Sequence, residues 1–120
     1  MIVVLGMHRT GTSMVSRLLQ LMGVYMGSTD GHYEDWDFVK LNIAVIAAAG
    51  GDTFRPGPQE AIDRVVGYEK YMQELVAERN AQHELWGFKD PRTLLVLAHW
   101  KKYLHNPVYI LTARTQEAIL

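Results

Sequence analysis

Residues 2–13 read IVVLGMHRTGTS, and this stretch decides the expected fold. The aliphatic and β-branched run at positions 2–5 is typical of a strand buried on both faces in a parallel sheet. The run stops at Gly6, and from Ser13 onward apolar residues recur at helical spacing until Gly23, a natural helix end. A strand, a glycine-containing loop and a helix are therefore expected to open the chain.

The same alternation of short apolar runs and helical patterns continues to the other end of the chain. Short strands are predicted at 24–26, 85–88 and 108–112. The apolar spacing predicts a helix after the acidic stretch 30–37, ended by Gly50 and Gly51. Further helices are predicted from Pro58 through Val76, over 93–104 and from near Thr115. In the helix that begins at Pro58, Arg79 is expected to be solvated, together with Lys70, Glu74 and Glu78.

Strands that alternate with helices predict an α/β fold, a three-layer α/β/α arrangement around a mainly parallel sheet. The length of 120 residues indicates a single domain over 1–120, and no linker or internal repeat interrupts it. Such sheets bind ligands at the carboxyl ends of their strands. The chain stops a few residues into its last predicted helix, so we expect a domain that is incomplete at its C-terminus.

Composition excludes a disordered chain, a collagen and a disulfide scaffold. Hydrophobic residues make up 48% and charged residues 21%, as in ordinary globular domains. Twelve Lys and Arg against thirteen Asp and Glu give no electrostatic argument for nucleic acid as a partner. The longest apolar run, 43–49, is far too short to span a membrane, and the absence of Cys fits a cytoplasmic location.

The loop between the first strand and the first helix has the composition of a phosphate site. Glycines let backbone N–H groups surround an anion, and the helix N-terminus adds partial positive charge. The P-loop of nucleotide triphosphatases has a Lys where this chain has Thr12, and its nearest cation is Arg9. Besides a phosphate site that uses Arg9 instead of the P-loop lysine, two alternatives are open: a small-molecule kinase or NTPase, and a merely structural glycine turn. No cluster of metal ligands is predicted.

Three segments in order resemble the sulfotransferase superfamily that uses 3′-phosphoadenosine 5′-phosphosulfate (PAPS). Residues 6–13, GMHRTGTS, resemble the family's 5′-phosphosulfate loop. Residues 86–92, WGFKDPR, resemble the Lys-Asp-Pro segment of tyrosylprotein and related bacterial sulfotransferases, and 108–114 resemble the strand that ends in the Arg of the 3′-phosphate site. The resemblance implies a fold related to P-loop kinases and transfer of a sulfuryl group from PAPS to a hydroxyl or amine.

The resemblance also implies roles for individual residues. Arg9 and Lys89 match cations that contact the transferring sulfuryl group, Glu34 matches the general base, and Arg114 matches the 3′-phosphate ligand, followed here by residues that depart from the family pattern. The family's later 3′-phosphate segments would lie beyond Leu120. The residues that match the cradle of the 5′-phosphate are Thr10, Gly11, Thr12 and Ser13.

Several alternatives remain open at this stage. Glu34 competes with Asp35 and Asp37, because any of these carboxylates is suited to capping the helix that follows. Asp90 is interpreted as a structural anchor of the turn before Pro91. A small molecule, a carbohydrate or another hydroxyl or amine compound is the expected acceptor, and pairing with a second chain is possible. A non-catalytic remnant of a larger enzyme is the third functional hypothesis.

Overall fold

The computed structural model describes residues 1–6, 11–27 and 34–112, without the side chain of Thr12. Within these residues, three short strands and five helices form an α/β structure. They follow in the order β1 (Ile2–Leu5), α1 (Thr12–Leu21), α2 (Trp36–Ala48), α3 (Gln59–Asp63), α4 (Glu69–Gln82), β2 (Gly87–Lys89), α5 (Thr93–Trp100) and β3 (Val108–Leu111).

The three strands form a parallel sheet in the order β2-β1-β3, with the N-terminal strand in the centre. Val3 lies between Phe88 of β2 and Tyr109 of β3. The predicted strand at 24–26 is reduced to a single parallel bridge between Tyr25 and Trp86, beside β2. The parallel α/β prediction is thus confirmed, and the carboxyl ends of β1, β2 and β3 meet at one edge.

The larger core cluster packs against one face of the sheet and is built around aromatic rings. Phe38 of α2 stacks on Phe88 with ring centroids 4.0 Å apart and lies 4.8 Å from the ring of Trp100. Trp86 completes this group, 5.7 Å from Phe38. All four rings are buried, so they supply a large part of the apolar surface that stabilises the fold.

The second cluster is smaller and joins α1 to the sheet. Val4 of β1 is buried with Leu19 of α1 and with Val24 and Met26 beyond the helix. Val3 belongs to the aromatic cluster instead, because successive strand residues point to opposite faces. Three large apolar side chains of α1, Met14, Leu18 and Leu21, are exposed, as is Met22 at its C-cap.

The single helix predicted from Pro58 through Val76 is wrong. Pro58 caps the short helix α3, the chain breaks around Gly67 at a φ of 103°, and α4 begins at Glu69. A positive φ suits glycine and ends regular helix, and Val66 beside it is exposed rather than part of a buried stripe. The prediction that Arg79 is solvated is also wrong, since its side chain is buried on α4.

Two other boundaries differ from the prediction. Strand β2 begins at Gly87 rather than 85 and includes Lys89, whose charged side chain concealed the end of the strand in the sequence. Helix α5 ends at Trp100, because Tyr103 N donates to Trp100 O in a tighter turn before the positive φ of Asn106. Among the described residues, no helix has the length and apolar character needed to cross a bilayer.

Candidate functional site

The N-terminus of α1 lies at the carboxyl edge of the sheet. Gly6 follows β1, and Gly11 is the N-cap of α1 with a left-handed φ of 89°. The helix begins when Val15 N donates to Gly11 O over 3.1 Å. Gly11 has no side chain with which to cap the first turn, and that turn contains no acidic residue. Its N–H groups and partial positive charge therefore suit an anion.

Lys89, the last residue of β2, brings an ammonium group to this helix end. It is the register partner of Val4, so its side chain points to the sheet face that α1 covers. Lys89 Nζ donates to Ser13 Oγ over 3.1 Å, although only 4% of the residue is exposed. Strand β2 thus supplies a cation to the first turn of α1, one residue from Thr12, which occupies the P-loop's lysine position in the sequence.

Glu34 completes a cluster of three side chains from separate segments. Its Oε1 lies 3.2 Å from Lys89 Nζ, and 17% of its side chain is exposed. The ammonium and the carboxylate are therefore held together in a largely desolvated place, where their attraction is stronger than at the surface. A carboxylate, an ammonium and a hydroxyl now lie within direct contact at one edge of the sheet.

The backbone around Glu34 is fixed by a close approach of Gly27. A Cβ at Gly27 would lie 2.8 Å from Glu34 O and 2.6 Å from Asp35 Cα, and the residue has a φ of 99°. Asp35 itself is the N-cap of α2 and accepts a hydrogen bond from Asp37 N over 3.1 Å. The capping role that competed for Glu34 thus belongs to Asp35, and the side chain of Glu34 reaches Lys89.

Arg79 of α4 clamps the start of α2. Its Nε and one terminal nitrogen bind the two oxygens of Asp35 at 2.8 and 3.0 Å, and the same terminal nitrogen contacts Asp37 at 2.6 Å. The hydrogen bonds to Asp35 raise the pKa of the Arg79 guanidinium above its usual value, and they outweigh the opposite effect of burial. The segment that carries Glu34 is therefore anchored by a buried, bidentate ion pair.

The turn after Lys89 is held by a second buried polar group. Asp90 accepts from Asn42 Nδ2 of α2 over 3.0 Å and from an Arg92 terminal nitrogen over 2.7 Å. Asn42 also donates to Thr93 Oγ1 and accepts from Trp100 Nε1 at 2.7 Å. The structural role predicted for Asp90 agrees with these contacts.

The structure brings together three of the predicted site residues, Ser13, Glu34 and Lys89, and places Gly11 at the helix end beside them. Arg9, Thr10 and Arg114 lie outside the described residues, as does the side chain of Thr12.

Two residues that hold the site, Arg79 and Asn42, were missed by sequence reasoning. Arg79 continues the helical spacing of the buried residues Met72, Leu75 and Val76, and this position was the available signal, which its charge concealed. Asn42 lies at a helix position between apolar neighbours, and that placement was the one available hint.

Two surface grooves of about 390 and 400 Å³ lie away from this cluster. The first groove lies between α2 and α4 and is lined by three acidic residues, Asp37, Glu74 and Glu78, together with Lys40. Two of these carboxylates, Asp37 and Glu78, are paired with Arg79. Among the described residues, no group of three His, Cys, Asp or Glu is arranged to hold a metal ion.

Comparison with known proteins gives no match: no family model, no curated protein and no solved structure is significantly similar to this chain. The functional argument therefore rests on the residues themselves.

Proposed function

We propose that this chain provides the donor site of a PAPS-dependent sulfotransferase, which moves a sulfuryl group to a hydroxyl or amine acceptor. The observation that carries the proposal is the contact of Lys89 Nζ with both Ser13 Oγ and Glu34 Oε1. The resemblance assigns Ser13 to the 5′-phosphate cradle, Glu34 to the general base and Lys89 to a cation of the sulfuryl site.

An anion at the start of α1 is supported by the local geometry. The first turn of α1 offers N–H groups after Gly11, Ser13 offers a hydroxyl, and Lys89 offers a positive charge. In a three-layer α/β arrangement of the P-loop type, this place is outside the carboxyl ends of β1 and β2, where such sheets bind ligands. A 5′-phosphosulfate would bind here through its non-bridging oxygens.

The transfer follows from charges that change during the reaction. The acceptor oxygen or nitrogen forms a bond to sulfur while the bond from sulfur to the oxygen of the 5′-phosphate breaks, and the electron pair remains on that bridging oxygen. The ammonium of Lys89 stabilises this growing negative charge more in the transition state than in the ground state. Arg9 is proposed as a second such cation.

Glu34 is proposed as the general base. Its carboxylate takes the proton that the acceptor loses as the new bond to sulfur forms, which makes the acceptor a better nucleophile. The contact with Lys89 holds the carboxylate close to the cation that faces the leaving group. In an in-line displacement the base and the leaving-group cation act at opposite ends, so the acceptor and the donor would separate the Glu34–Lys89 pair when they bind.

The test is binding of adenosine 3′,5′-bisphosphate, the product of the donor, measured by thermal shift against ATP with Mg²⁺. A ligand that binds only the folded chain at one hundred times its Kd adds about 2.7 kcal/mol of stability. We expect a shift with the bisphosphate, and we expect Lys89→Met to remove it. Lys101→Met is the matched control, because Lys101 is exposed and follows α5.

Two results would overturn the proposal. One is a chain that does not respond to the bisphosphate, and the other is a shift that Lys89→Met leaves unchanged. A response to ATP with Mg²⁺ alone would favour a kinase or NTPase.

Transfer itself tests the base. With PAPS and a panel of alcohols and amines, Glu34→Gln is expected to retain bisphosphate binding and to lose about 10²–10⁴ of the transfer rate. Glu84→Gln, at an exposed position, is the control and should change neither property. Equal rates for both variants would remove Glu34 from the mechanism.

A further inference from the structure

Glu34 and Lys89 are far apart in the sequence, and a closed path of contacts sets the distance between them. Glu34 directly precedes the N-cap of α2, and Lys89 directly precedes Asp90. Helix α2 carries both connections, because its N-terminal end follows Glu34 and its Asn42 binds Asp90. The Glu34–Lys89 ion pair and the Asn42–Asp90 hydrogen bond therefore connect the same two segments, the α2 region and the end of β2.

The position of Asn42 allows it to fix the end of β2 to α2. It is fully buried, and its amide makes three hydrogen bonds at once. Nδ2 donates to Asp90 Oδ2 over 3.0 Å and to Thr93 Oγ1 over 3.1 Å, while Oδ1 accepts from Trp100 Nε1 over 2.7 Å. The neutral amide offers two N–H donors and a carbonyl acceptor, and these three hydrogen bonds use all of them.

Asp90 transmits this restraint to Lys89. Its carboxylate is 1% exposed and is held from the other side by Arg92 at 2.7 Å, while Arg92 Nε binds Thr53 Oγ1 over 2.9 Å. Removing the amide of Asn42 would leave a buried carboxylate oxygen without that donor, and such a loss is costly when the acceptor is charged. The turn that ends β2 would then be free to move relative to α2.

We infer that Asn42 is a positioning residue, whose amide fixes the Asp90 turn to α2 and thereby sets Lys89 Nζ against Glu34 and Ser13. The effect on sulfuryl transfer rests on the proposed function, whereas the effect on Lys89 does not. No contact of Asn42 with a substrate is required.

The first experiment exposes the folded, nucleotide-free chain briefly to acetic anhydride and then measures acetylation at individual lysines by mass spectrometry of its proteolytic peptides. Lys89 is buried, so it reacts through local opening. Asn42→Ala is expected to raise the rate at Lys89 by about tenfold or more, as loss of a hydrogen bond to a charged group implies. The rate at exposed Lys101 should not change.

Asn80→Ala is the matched control. Asn80 Oδ1 accepts from Trp86 Nε1 over 2.9 Å, as Asn42 does from Trp100, but no contact joins it to Asp90. A general loosening of the fold would raise the rate at Lys89 in both variants alike. Equal rates in the two variants, or an unchanged rate in Asn42→Ala, would overturn the inference.

A second set of variants protects the test against an unfolded Asn42→Ala. Asn42→Asp sets two carboxylates against each other, Asp90→Asn removes the charge, and the double variant exchanges amide and carboxylate. A double-mutant cycle isolates their interaction. We expect the double variant to react at Lys89 about tenfold less than the product of the two single effects. Multiplicative effects would show that the Asn42–Asp90 bond does not control Lys89.

Failure of this inference can be told apart from failure of the proposed function. The lysine rates are measured without nucleotide and stand even if adenosine 3′,5′-bisphosphate does not bind. If the bisphosphate binds and the Lys89 rates do not depend on Asn42, the proposed donor site is supported and the positioning role of Asn42 is refuted. If the bisphosphate binds and the Lys89 rates do depend on Asn42, Asn42→Ala should lower kcat about tenfold, in proportion to the loosening of Lys89.

Discussion

The two strands that flank β1 have the same direction and almost the same register, yet their surroundings differ completely. All three residues of β2 are buried, whereas Val108, Tyr109 and Leu111 of β3 are exposed in the described structure. At the level of Val3, the ring of Phe88 is fully buried while Tyr109 is 40% exposed. A paired strand can thus remain exposed, and its burial depends on the helices that pack against it.

The buried flank is also the one that carries the candidate site. Lys89 is held by Ser13 of α1 and by Glu34, and Asp90 is held by Asn42 of α2 and by Arg92, the N-cap of α5. A charge at a strand end can be fixed in place only where neighbouring groups surround it. The comparison therefore predicts that equivalent substitutions on the two flanks have unequal effects.

The largest difference is expected at the level of Val3. Phe88→Ala removes a ring that stacks on Phe38 and should lower the free energy of unfolding by about 3–5 kcal/mol. Tyr109→Ala, the matched variant across β1, should cost about 1 kcal/mol or less, as do most exposed substitutions. Urea unfolding of both variants measures the difference, and equal losses would show that β3 is as well covered as β2.

The same comparison between buried and exposed surroundings applies to charged pairs. Arg79→Met leaves Asp35 buried without its partner and should cost about 3–5 kcal/mol. Lys70→Met breaks an exposed pair with Glu74 on the same helix and should cost only about 0.3–0.5 kcal/mol. Urea unfolding in low salt and in 1 M NaCl should show that salt does little to the larger effect. A loss below 1 kcal/mol for Arg79→Met would contradict this anchor.

A smaller effect is expected at the level of Ile2, where Gly87 and Val108 are the two neighbours. A Cβ at Gly87 would lie 2.3 Å from Ile2 O, so Gly87→Ala must push β2 away from β1. We expect a loss of about 1–3 kcal/mol in thermal unfolding, the usual cost of overpacking. Val108→Ala is the control across the sheet and should stay within about 0.5 kcal/mol. A neutral Gly87→Ala would mean that the two strands are not held this closely.

The smallest effect is expected for Leu111→Lys on β3. This side chain is 69% exposed, so a charge there should change the free energy of unfolding by no more than about 0.5 kcal/mol. Lys on an edge strand should also reduce association, which light scattering at increasing protein concentration would detect. A loss of 2 kcal/mol would break the comparison, since it would show that another surface covers Leu111.

Three of the four predicted strands formed, because short runs of β-branched and aromatic residues beside glycine or proline favour strands. The run 24–26 lies between two glycines as well, but it forms only one bridge. The face by which α1 packs was not predictable, because its apolar residues surround much of the helix. Val15 and Leu19 face the sheet, and Met14 and Leu18 do not. Local spacing sets the period of a helix, and only the partner surface selects the face.

The candidate site shows the same limit. Glu34 and Lys89 were predicted as site residues from a resemblance, and the structure places them in contact, while the roles assigned to them stay predictions. Arg79 was expected in solvent because of its charge, although its position continues the spacing of the buried residues of α4. Its partner Asp35 is the N-cap of another helix, and no local pattern in a single sequence identifies a partner 44 residues away.

The central place of β1 also determines when the chain can fold. β1 is synthesised before both of its strand partners, which begin at residues 87 and 108, so it cannot pair within this sheet until they follow. At the usual speed of translation, β2 and β3 follow β1 by roughly 4–20 s. During that time the backbone N–H and C=O groups of β1 lack their sheet partners, which makes this aliphatic segment a candidate for chaperone binding.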